Sequence, residues 1–152
     1  MKTKISDKVL IIIVPEERIK EDFGLKQDII WDKVPENLVV GFFARNYKHF
    51  GQLSYIYPKA KILIPEEWNS AKIGFEVKLS GTQGKKIDIV LQCDKTYFII
   101  EAKSRGQVQW AKDEVTQYAK LFESVHPDSL SIRRVVVTSR KGDMSWIKAR
   151  LE

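Results

Sequence analysis

Residues 85–104 read KKIDIVLQCDKTYFIIEAKS, and the fold predicted for the chain depends on this stretch. Two runs in which apolar and polar residues alternate, 86–92 and 96–102, are separated by the short polar break Asp94-Lys95. This pattern is typical of two strands joined by a tight turn. The stretch therefore predicts an antiparallel hairpin with one apolar face turned towards a core.

Acidic side chains are uncommon in β-strands, yet both strands of this hairpin carry one. With a two-residue turn, antiparallel pairing brings Asp88 opposite Glu101 on the same face of the sheet. Lys103 belongs to that face too, because it lies two residues beyond Glu101. Two opposed carboxylates repel each other unless one is protonated or a cation lies between them. The hairpin therefore predicts a site where two acids and one lysine meet, and Mg²⁺ is the cation that suits such a site.

The same patterns predict the elements of the remaining chain. They are a strand over 4–14, a helix from Pro15 to about Trp31, a helix from Pro35, a hairpin over 53–57 and 61–64, a strand over 73–79, a turn at 81–84, a helix over 107–125, a strand over 133–138 and a helix over 143–151. From Ile73 the order is β-β-β-α-β-α, and a meander followed by a crossover predicts a mixed α/β sheet with helices packed on it.

We predict a single domain over residues 1–152, on the basis of chain length. Its segments are an N-terminal α/β elaboration over 1–72, the core over 73–140 and a terminal helix over 141–152. One cysteine excludes an internal disulfide, and two histidines with one cysteine are too few for a structural zinc cage. The net charge of +6 permits an anionic partner such as nucleic acid. The longest apolar run, 9–14, is too short for a membrane span or a signal peptide, so a cytoplasmic protein without a membrane partner is expected.

Asp88, thirteen residues before Glu101-Ala102-Lys103 at the end of an apolar strand, resembles the motif of the PD-(D/E)xK nuclease superfamily. The resemblance covers about residues 73–138 and implies the restriction-endonuclease-like fold with its β-β-β-α-β core. Ile87 stands where the superfamily's name has a proline. The resemblance further implies that Asp88, Glu101 and the carbonyl of Ala102 bind Mg²⁺ or Mn²⁺, and that Lys103 positions the attacking water. The implied function is a metal-dependent DNA endonuclease, and a homodimer is expected if both strands are cut.

Further residues are expected around this site. The resemblance implies an additional acid on the helix before the strands, for which Glu36 is the candidate, and a glutamine on the helix after the motif, which would be Gln117. A second Glu-x-Lys begins at Glu76, which is an accessory candidate although a surface role is more common for such a residue. Four cations close to the acids in sequence are expected to contact backbone phosphates: Lys85, Lys86, Arg105 and Lys112.

Three alternative functions stay open on the sequence. Residues 74–77, followed by Ser80-Gly81 and Asp88, resemble archaeal Holliday-junction resolvases, although about seventy residues precede the first core strand here. A nucleic-acid-binding or assembly subunit would keep the fold without cutting. A nuclease acting on RNA fits equally well, because the motif handles phosphates and not the sugar.

Overall fold

The computed structural model of the protein describes residues 4–25, 33–79, 84–126, 131–141 and 146–152. These residues form strands, α-helices and two short 3-10 helices. In chain order they are β1 Lys4–Pro15, α1 Glu16–Asp22, α2 Glu36–Asn46, a 3-10 helix Tyr47–Gln52, α3 Pro58–Lys61, a 3-10 helix Glu66–Ser70, β2 Lys72–Lys78, β3 Lys86–Cys93, β4 Thr96–Lys103, α4 Val108–Val125, β5 Ser131–Arg140 and β6 Lys148–Leu151.

The strands form one mixed sheet in the order β2-β3-β4-β5-β1-β6. β2, β3 and β4 are antiparallel neighbours, β4, β5 and β1 run parallel to one another, and β6 returns antiparallel beside β1. The predicted α/β class with a mixed sheet is therefore confirmed. β1 lies between β5 and β6, so the segment predicted as an N-terminal elaboration contributes an inner strand to the same sheet as the predicted core.

Helices cover both faces of the sheet. On one face, Val115 and Phe122 of α4 are buried against a cluster that includes Ile99 of β4. On the other face, α1, α2 and the 3-10 helices surround a second cluster, in which the buried Trp68 lies edge-on to Phe98 of β4. β4, β5 and β1 are apolar on both faces, as strands covered by helices on both sides require. No helix in the described ranges is long and apolar enough to cross a membrane.

The hairpin of β3 and β4 has the predicted register. Cys93 pairs with Thr96 across the two-residue turn, and the last backbone pair towards the open end is Ile89 with Ile100. Asp94 has a φ of 56° in this turn, a left-handed conformation that aspartate tolerates better than most residues. The next row of the hairpin contains Asp88 and Glu101, as the sequence predicts.

The alternation of β3 is interrupted at Asp88, which corrects one expectation. The pattern places Ile87 on the same face as Ile89, yet Ile87 packs in the α4 cluster and Ile89 in the opposite one. In the register of β2 with β3, Glu76 occupies the position opposite Asp88, and its φ is 46°. A left-handed residue in a strand disturbs the regular pleat, because it turns the chain locally. The disturbance lies beside the acidic row.

The first helix is shorter than predicted. α1 ends at Asp22, whereas the apolar pattern suggested continuation to about Trp31. Gly24 has a φ of 65°, its N–H donates to the Glu21 carbonyl, and the N–H of Leu25 donates to the Lys20 carbonyl. This is the Schellman arrangement that ends helices at a glycine. Residues 26–32 lie outside the described residues.

The predicted hairpin over 53–57 and 61–64 is wrong. Pro58 begins the helical turn α3, and Ile56 makes a single parallel bridge with Ile147 from the end of the chain. The Pro58-Lys59 pair suggested a β-turn, but proline is equally favoured at the first position of a helix, where its missing N–H costs nothing. The predicted turn at 81–84 lies outside the described residues except for Gly84.

The predicted terminal helix over 143–151 is also wrong. The segment ends in the strand β6, which pairs with β1 through Ile12 with Ala149 and neighbouring residues. Ile147 is fully buried. β1 would otherwise present an unpaired edge, and this long-range pairing overrides the weak local preference for helix. Asp143, the predicted N-cap, lies outside the described residues.

Candidate active site

The two acids of the hairpin are joined by hydrogen bonds that replace the backbone ladder. The N–H of Asp88 donates to Oε1 of Glu101 at 3.2 Å, and the N–H of Ala102 donates to Oδ2 of Asp88 at 3.0 Å. Each carboxylate thus accepts a bond from the backbone of the other strand. Because the donors are main-chain groups, the positions of both carboxylates are set by the sheet itself.

Glu101 is the buried member of the pair, with an exposed fraction of 2%. Its pKa is raised to about 9, mainly because burial disfavours the charged form and also because the negative charge of Asp88 lies close by. The N–H of Asp88 acts in the opposite direction, while a side-chain hydrogen bond with Asp88 raises the pKa further. The raised pKa therefore favours the protonated form of Glu101 at neutral pH in the metal-free protein.

Lys103 lies between acids that come from both helical layers. Its Nζ is 3.0 Å from Oε1 of Glu114 on α4 and 3.5 Å from Oε1 of Glu36 on α2. Burial by itself would lower the pKa of Lys103, but the hydrogen bond with Glu114 and the charges of Glu36, Glu114 and Glu101 outweigh it and raise the pKa. Lys103 is therefore a charged ammonium group held on two sides, and its side chain is only 15% exposed.

Glu36 is brought to the site as predicted. It occupies the first position of α2, directly after Pro35, which places its side chain at the end of the helix that faces Lys103. The pKa of Glu36 is raised by burial, an effect that Lys103 opposes and that the charges of Asp88 and Glu114 reinforce. The charges of three carboxyl groups thus act on Lys103, and they belong to Glu36, Glu114 and Glu101.

Glu114 is the site residue that the sequence analysis missed. It lies between Trp110 and Tyr118 at intervals of four, so the three side chains share one face of α4. Nζ of Lys103 is 5.3 Å from the centre of the Trp110 ring. Burial raises the pKa of Tyr118, and the charges of Glu101 and Glu114 raise it further. The sequence did contain one signal for Glu114. It is an acid that lies beside the apolar stripe of the helix that follows the motif.

The accessory candidates Gln117 and Glu76 are both exposed, unlike the partly buried Glu114. Gln117 is exposed on α4, one turn from Glu114. Glu76 is exposed and lies 4.0 Å from Nζ of Lys86. Its role as an accessory acid therefore stays a prediction, and its present contact is a surface ion pair of small energetic weight.

The four predicted phosphate-binding cations fall into two groups. Lys85 and Lys86 are exposed at the start of β3, beside the acidic row. Arg105 and Lys112 form ion pairs: Nε of Arg105 lies 3.4 Å from Oε2 of the buried Glu16, and Nζ of Lys112 lies 2.8 Å from Oε1 of Glu152. Phosphate binding by any of the four remains a prediction.

Among the described residues, no group of three or more histidine, cysteine or acidic side chains converges as a metal-binding cluster. The donor set of Asp88, Glu101 and the Ala102 carbonyl nevertheless fits Mg²⁺ chemically. Mg²⁺ prefers hard oxygen ligands and commonly uses only one or two carboxylates, with water and substrate phosphate completing the shell. A cation would relieve the repulsion between the carboxylates, which protonation of Glu101 relieves in the metal-free protein.

Comparisons with known proteins give no indication of function, so the function is inferred from the geometry of the site. No protein-family model matches the chain. Neither the search of curated proteins nor the search of solved structures found a match.

Proposed function

We propose that the protein is a metal-dependent nuclease of the PD-(D/E)xK type, which hydrolyses phosphodiester bonds in DNA. The observation that carries the proposal is the meeting of Asp88, Glu101 and Lys103 at one end of the β3–β4 hairpin. A surface cluster of acids and lysines would be solvated, whereas Glu101 is buried with a strongly raised pKa. Perturbed ionisable groups of this kind are concentrated at functional sites.

The strand order supports the same proposal. β2, β3 and β4 form an antiparallel meander, α4 crosses over, and β5 returns parallel to β4. This β-β-β-α-β arrangement is the one that the restriction-endonuclease-like fold implies. α2 precedes the meander and contributes Glu36, in the place where the resemblance implies an additional acid. We therefore infer this fold for the part of the chain from α2 to β5.

The acids and the lysine have separate roles in this proposal. Asp88 and Glu101, with the Ala102 carbonyl, would hold Mg²⁺ or Mn²⁺. The ion would supply a lowered pKa for water and polarisation of the phosphorus centre. Glu101 must lose its proton for this, so binding of the ion is coupled to proton release.

Lys103 acts as a cation and not as a base. Its pKa is raised, and Glu114 and Glu36 hold its ammonium group in place. A fixed positive charge stabilises the negative charge that develops on the phosphoryl oxygens in the transition state. Glu114 and Glu36 are positioning residues in this account, because they act through Lys103.

A nucleic acid is the proposed substrate because cations flank the acids on a protein of net charge +6, and DNA is the substrate that the resemblance to the nuclease superfamily implies. Exposed Lys85 and Lys86 lie on the side of β3. We further propose a homodimer, because cutting of both strands would need two such sites.

The experiment is a metal-dependent cleavage assay on four substrates: circular single-stranded DNA, supercoiled duplex DNA, a four-way junction and RNA. We expect wild type to cut DNA with Mg²⁺ or Mn²⁺ and to be inactive in EDTA. Glu101→Gln and Lys103→Met should each reduce cutting by about 100-fold or more. Glu66→Gln and Lys120→Met, which change exposed residues elsewhere, are the matched controls and should cut like wild type.

Each departure from this pattern has a defined meaning. Cutting that survives both Glu101→Gln and Lys103→Met would come from a contaminant or another site and would refute the proposal. Absence of cutting on all four substrates would also refute it, and retained Mg²⁺ binding would then point to a subunit without nuclease activity. Exclusive cutting of the junction would replace the proposed endonuclease by a resolvase, and exclusive cutting of RNA would replace the substrate.

A further inference from the structure

A cleft of ≈ 680 Å³ lies at the carboxyl ends of the parallel strands, beside the proposed active site. Its charged lining consists of Lys33, Arg105, Arg140 and Lys141, and no acidic side chain of the described residues lines it. These cations come from distant parts of the chain. The convergence of four cations on one concave surface is the electrostatic pattern of a polyanion site.

The cleft lies one strand away from the proposed active site in the sheet. Lys103 of β4 pairs in register with Thr138 of β5, and Thr138 lines the cleft. Neighbouring strands are about 5 Å apart. Arg105 follows Lys103 by two residues, just after the end of β4, and it lines the cleft. A polyanion bound in the cleft would therefore lie one strand from Lys103.

Arg105 lines the cleft and forms an ion pair with a buried acid. Oε2 of the buried Glu16 lies 3.4 Å from its Nε, and the same oxygen accepts bonds from the N–H of Val34 and from Oγ of Ser139. Glu16 therefore compensates the positive charge of Arg105. Lys33, Arg140 and Lys141 form no ion pair with another described residue. The cleft therefore keeps an excess of about three positive charges, by simple charge counting.

We infer that this cleft binds the phosphodiester backbone of the nucleic-acid strand whose neighbouring phosphate lies at Lys103. The inference rests on the proposed function for the identity of the ligand, but binding is measured without cutting. With Lys85 and Lys86 on the side of β3, cations lie on both sides of the acidic row. The strand would then cross the start of β3 and the ends of β4 and β5, and its scissile phosphate would be placed between two anchored segments.

The test is binding of a fluorescein-labelled DNA oligonucleotide in EDTA, followed by fluorescence anisotropy over a range of salt concentrations. The cleft variant is Arg140→Ala with Lys141→Ala. We expect a loss of affinity of about tenfold or more and a shallower salt dependence, by about 1.4 in the slope for single-stranded DNA, because two phosphate contacts are removed. The matched control is Lys72→Ala with Lys95→Ala, which removes two exposed lysines at the opposite end of the strands.

The control pair lies roughly 20 Å from the cleft, because β4 is eight residues long. Binding of the control variant within twofold of wild type, with equal melting temperatures for all three proteins, would support the inference. Equal losses in both variants would mean that only total charge matters and would overturn it. Displacement of the oligonucleotide by inorganic phosphate at equal phosphate concentration would also overturn it, since the cleft would then be a site for free phosphate.

The two proposals can fail separately. Cleft-dependent binding without any cleavage in Mg²⁺ would leave this inference standing and refute the nuclease. Cleavage by wild type with unchanged binding and cutting in the cleft variant would leave the nuclease standing and refute the inference.

Discussion

Glu101 illustrates how a single side chain can be costly to the metal-free protein and useful at a site. Its carboxyl group is buried beside Asp88, and it avoids an uncompensated negative charge by keeping its proton to about pH 9. An unfolded chain would release that proton near the usual pKa of 4.5. The folded state therefore binds more protons than the unfolded state between these two values, and stability falls as pH rises through the interval.

This linkage predicts the behaviour of Glu101→Gln, in which the amide reproduces the neutral carboxyl. Without metal, the variant should become progressively more stable than wild type as pH rises from about 5 to 9, by at most about 1.4 kcal/mol for each pH unit. Urea unfolding of both proteins in EDTA across this range measures the difference. The same comparison for Glu66→Gln, at an exposed position, should show no such trend. A constant difference between Glu101→Gln and wild type would contradict the assignment of the raised pKa.

At the scale of secondary structure, α4 determines which side chains reach the site. Successive helical residues are separated by 100° of rotation, so a helix placed by its buried Val115 and Phe122 has only one flank near Lys103. That flank carries Glu114, whereas Gln117 is exposed one turn further on. The choice between these residues is thus a consequence of how the helix packs.

We therefore predict different effects for the two α4 residues on cleavage. Glu114→Gln removes a charge that holds Lys103 and should lower the cleavage rate by about 10-fold or more, as loss of a supporting contact commonly does. Gln117→Ala should stay within about twofold of wild type, because its side chain is exposed. Single-turnover assays with saturating DNA and Mg²⁺ measure both rates. A larger loss in Gln117→Ala than in Glu114→Gln would restore the role predicted from the resemblance. The pH–rate profile separates a loss of positioning from misfolding. Weaker positioning of Lys103 changes the shape of the profile, whereas misfolding lowers the rate by the same factor at every pH.

β6 is a second element whose importance is tertiary. It closes the exposed side of β1, and the residue before it, Ile147, is fully buried and bridges to Ile56. A helix over the same residues would lose this pairing and the burial that accompanies it.

Ile147→Ala should accordingly destabilise the protein by about 2–5 kcal/mol, the usual cost of removing most of a buried isoleucine side chain. Leu151→Ala, in the same strand but with a half-exposed side chain, should cost less than about 1 kcal/mol. Urea denaturation of both variants gives the two values. Equal small effects would indicate that the end of the chain does not pack on β1 in solution.

At the scale of the whole molecule, the site forms where the two helical layers and the sheet meet. α2 supplies Glu36 from one face, α4 supplies Glu114 from the other, and Lys103 ends the strand between them. These contacts cross all three layers. Binding of a cation at the acidic pair should therefore stabilise the whole fold and not the hairpin alone.

Mg²⁺ should raise the melting temperature of wild type, and the increase should grow with pH. Glu101 must release one proton on binding, so the apparent affinity should rise by about tenfold for each pH unit below its pKa of about 9. Thermal unfolding at fixed Mg²⁺ between about pH 6 and 8 measures this dependence. Asp88→Asn should abolish the increase. An increase that is independent of pH would mean that Mg²⁺ binds elsewhere.

The β3–β4 hairpin and the pairing of its acids follow from local sequence patterns alone. A two-residue turn and a period of two are local properties, and together they place Asp88 opposite Glu101 before any other contact is known. The amphipathic period of α4 is local in the same sense. The proximity of Glu36 to Lys103 was also expected, but through a resemblance and not through a pattern in the sequence.

The neighbours that these local elements contact depend instead on long-range packing. The rotation of α4 selected Glu114, the open edge of β1 made a strand of the last residues, and the parallel strands brought Lys33 and Arg140 into one cleft. Each of these outcomes depends on packing between segments far apart in the chain. A local pattern specifies which face of an element is apolar, but the free energy of burying that face against a particular partner decides where its polar side chains point.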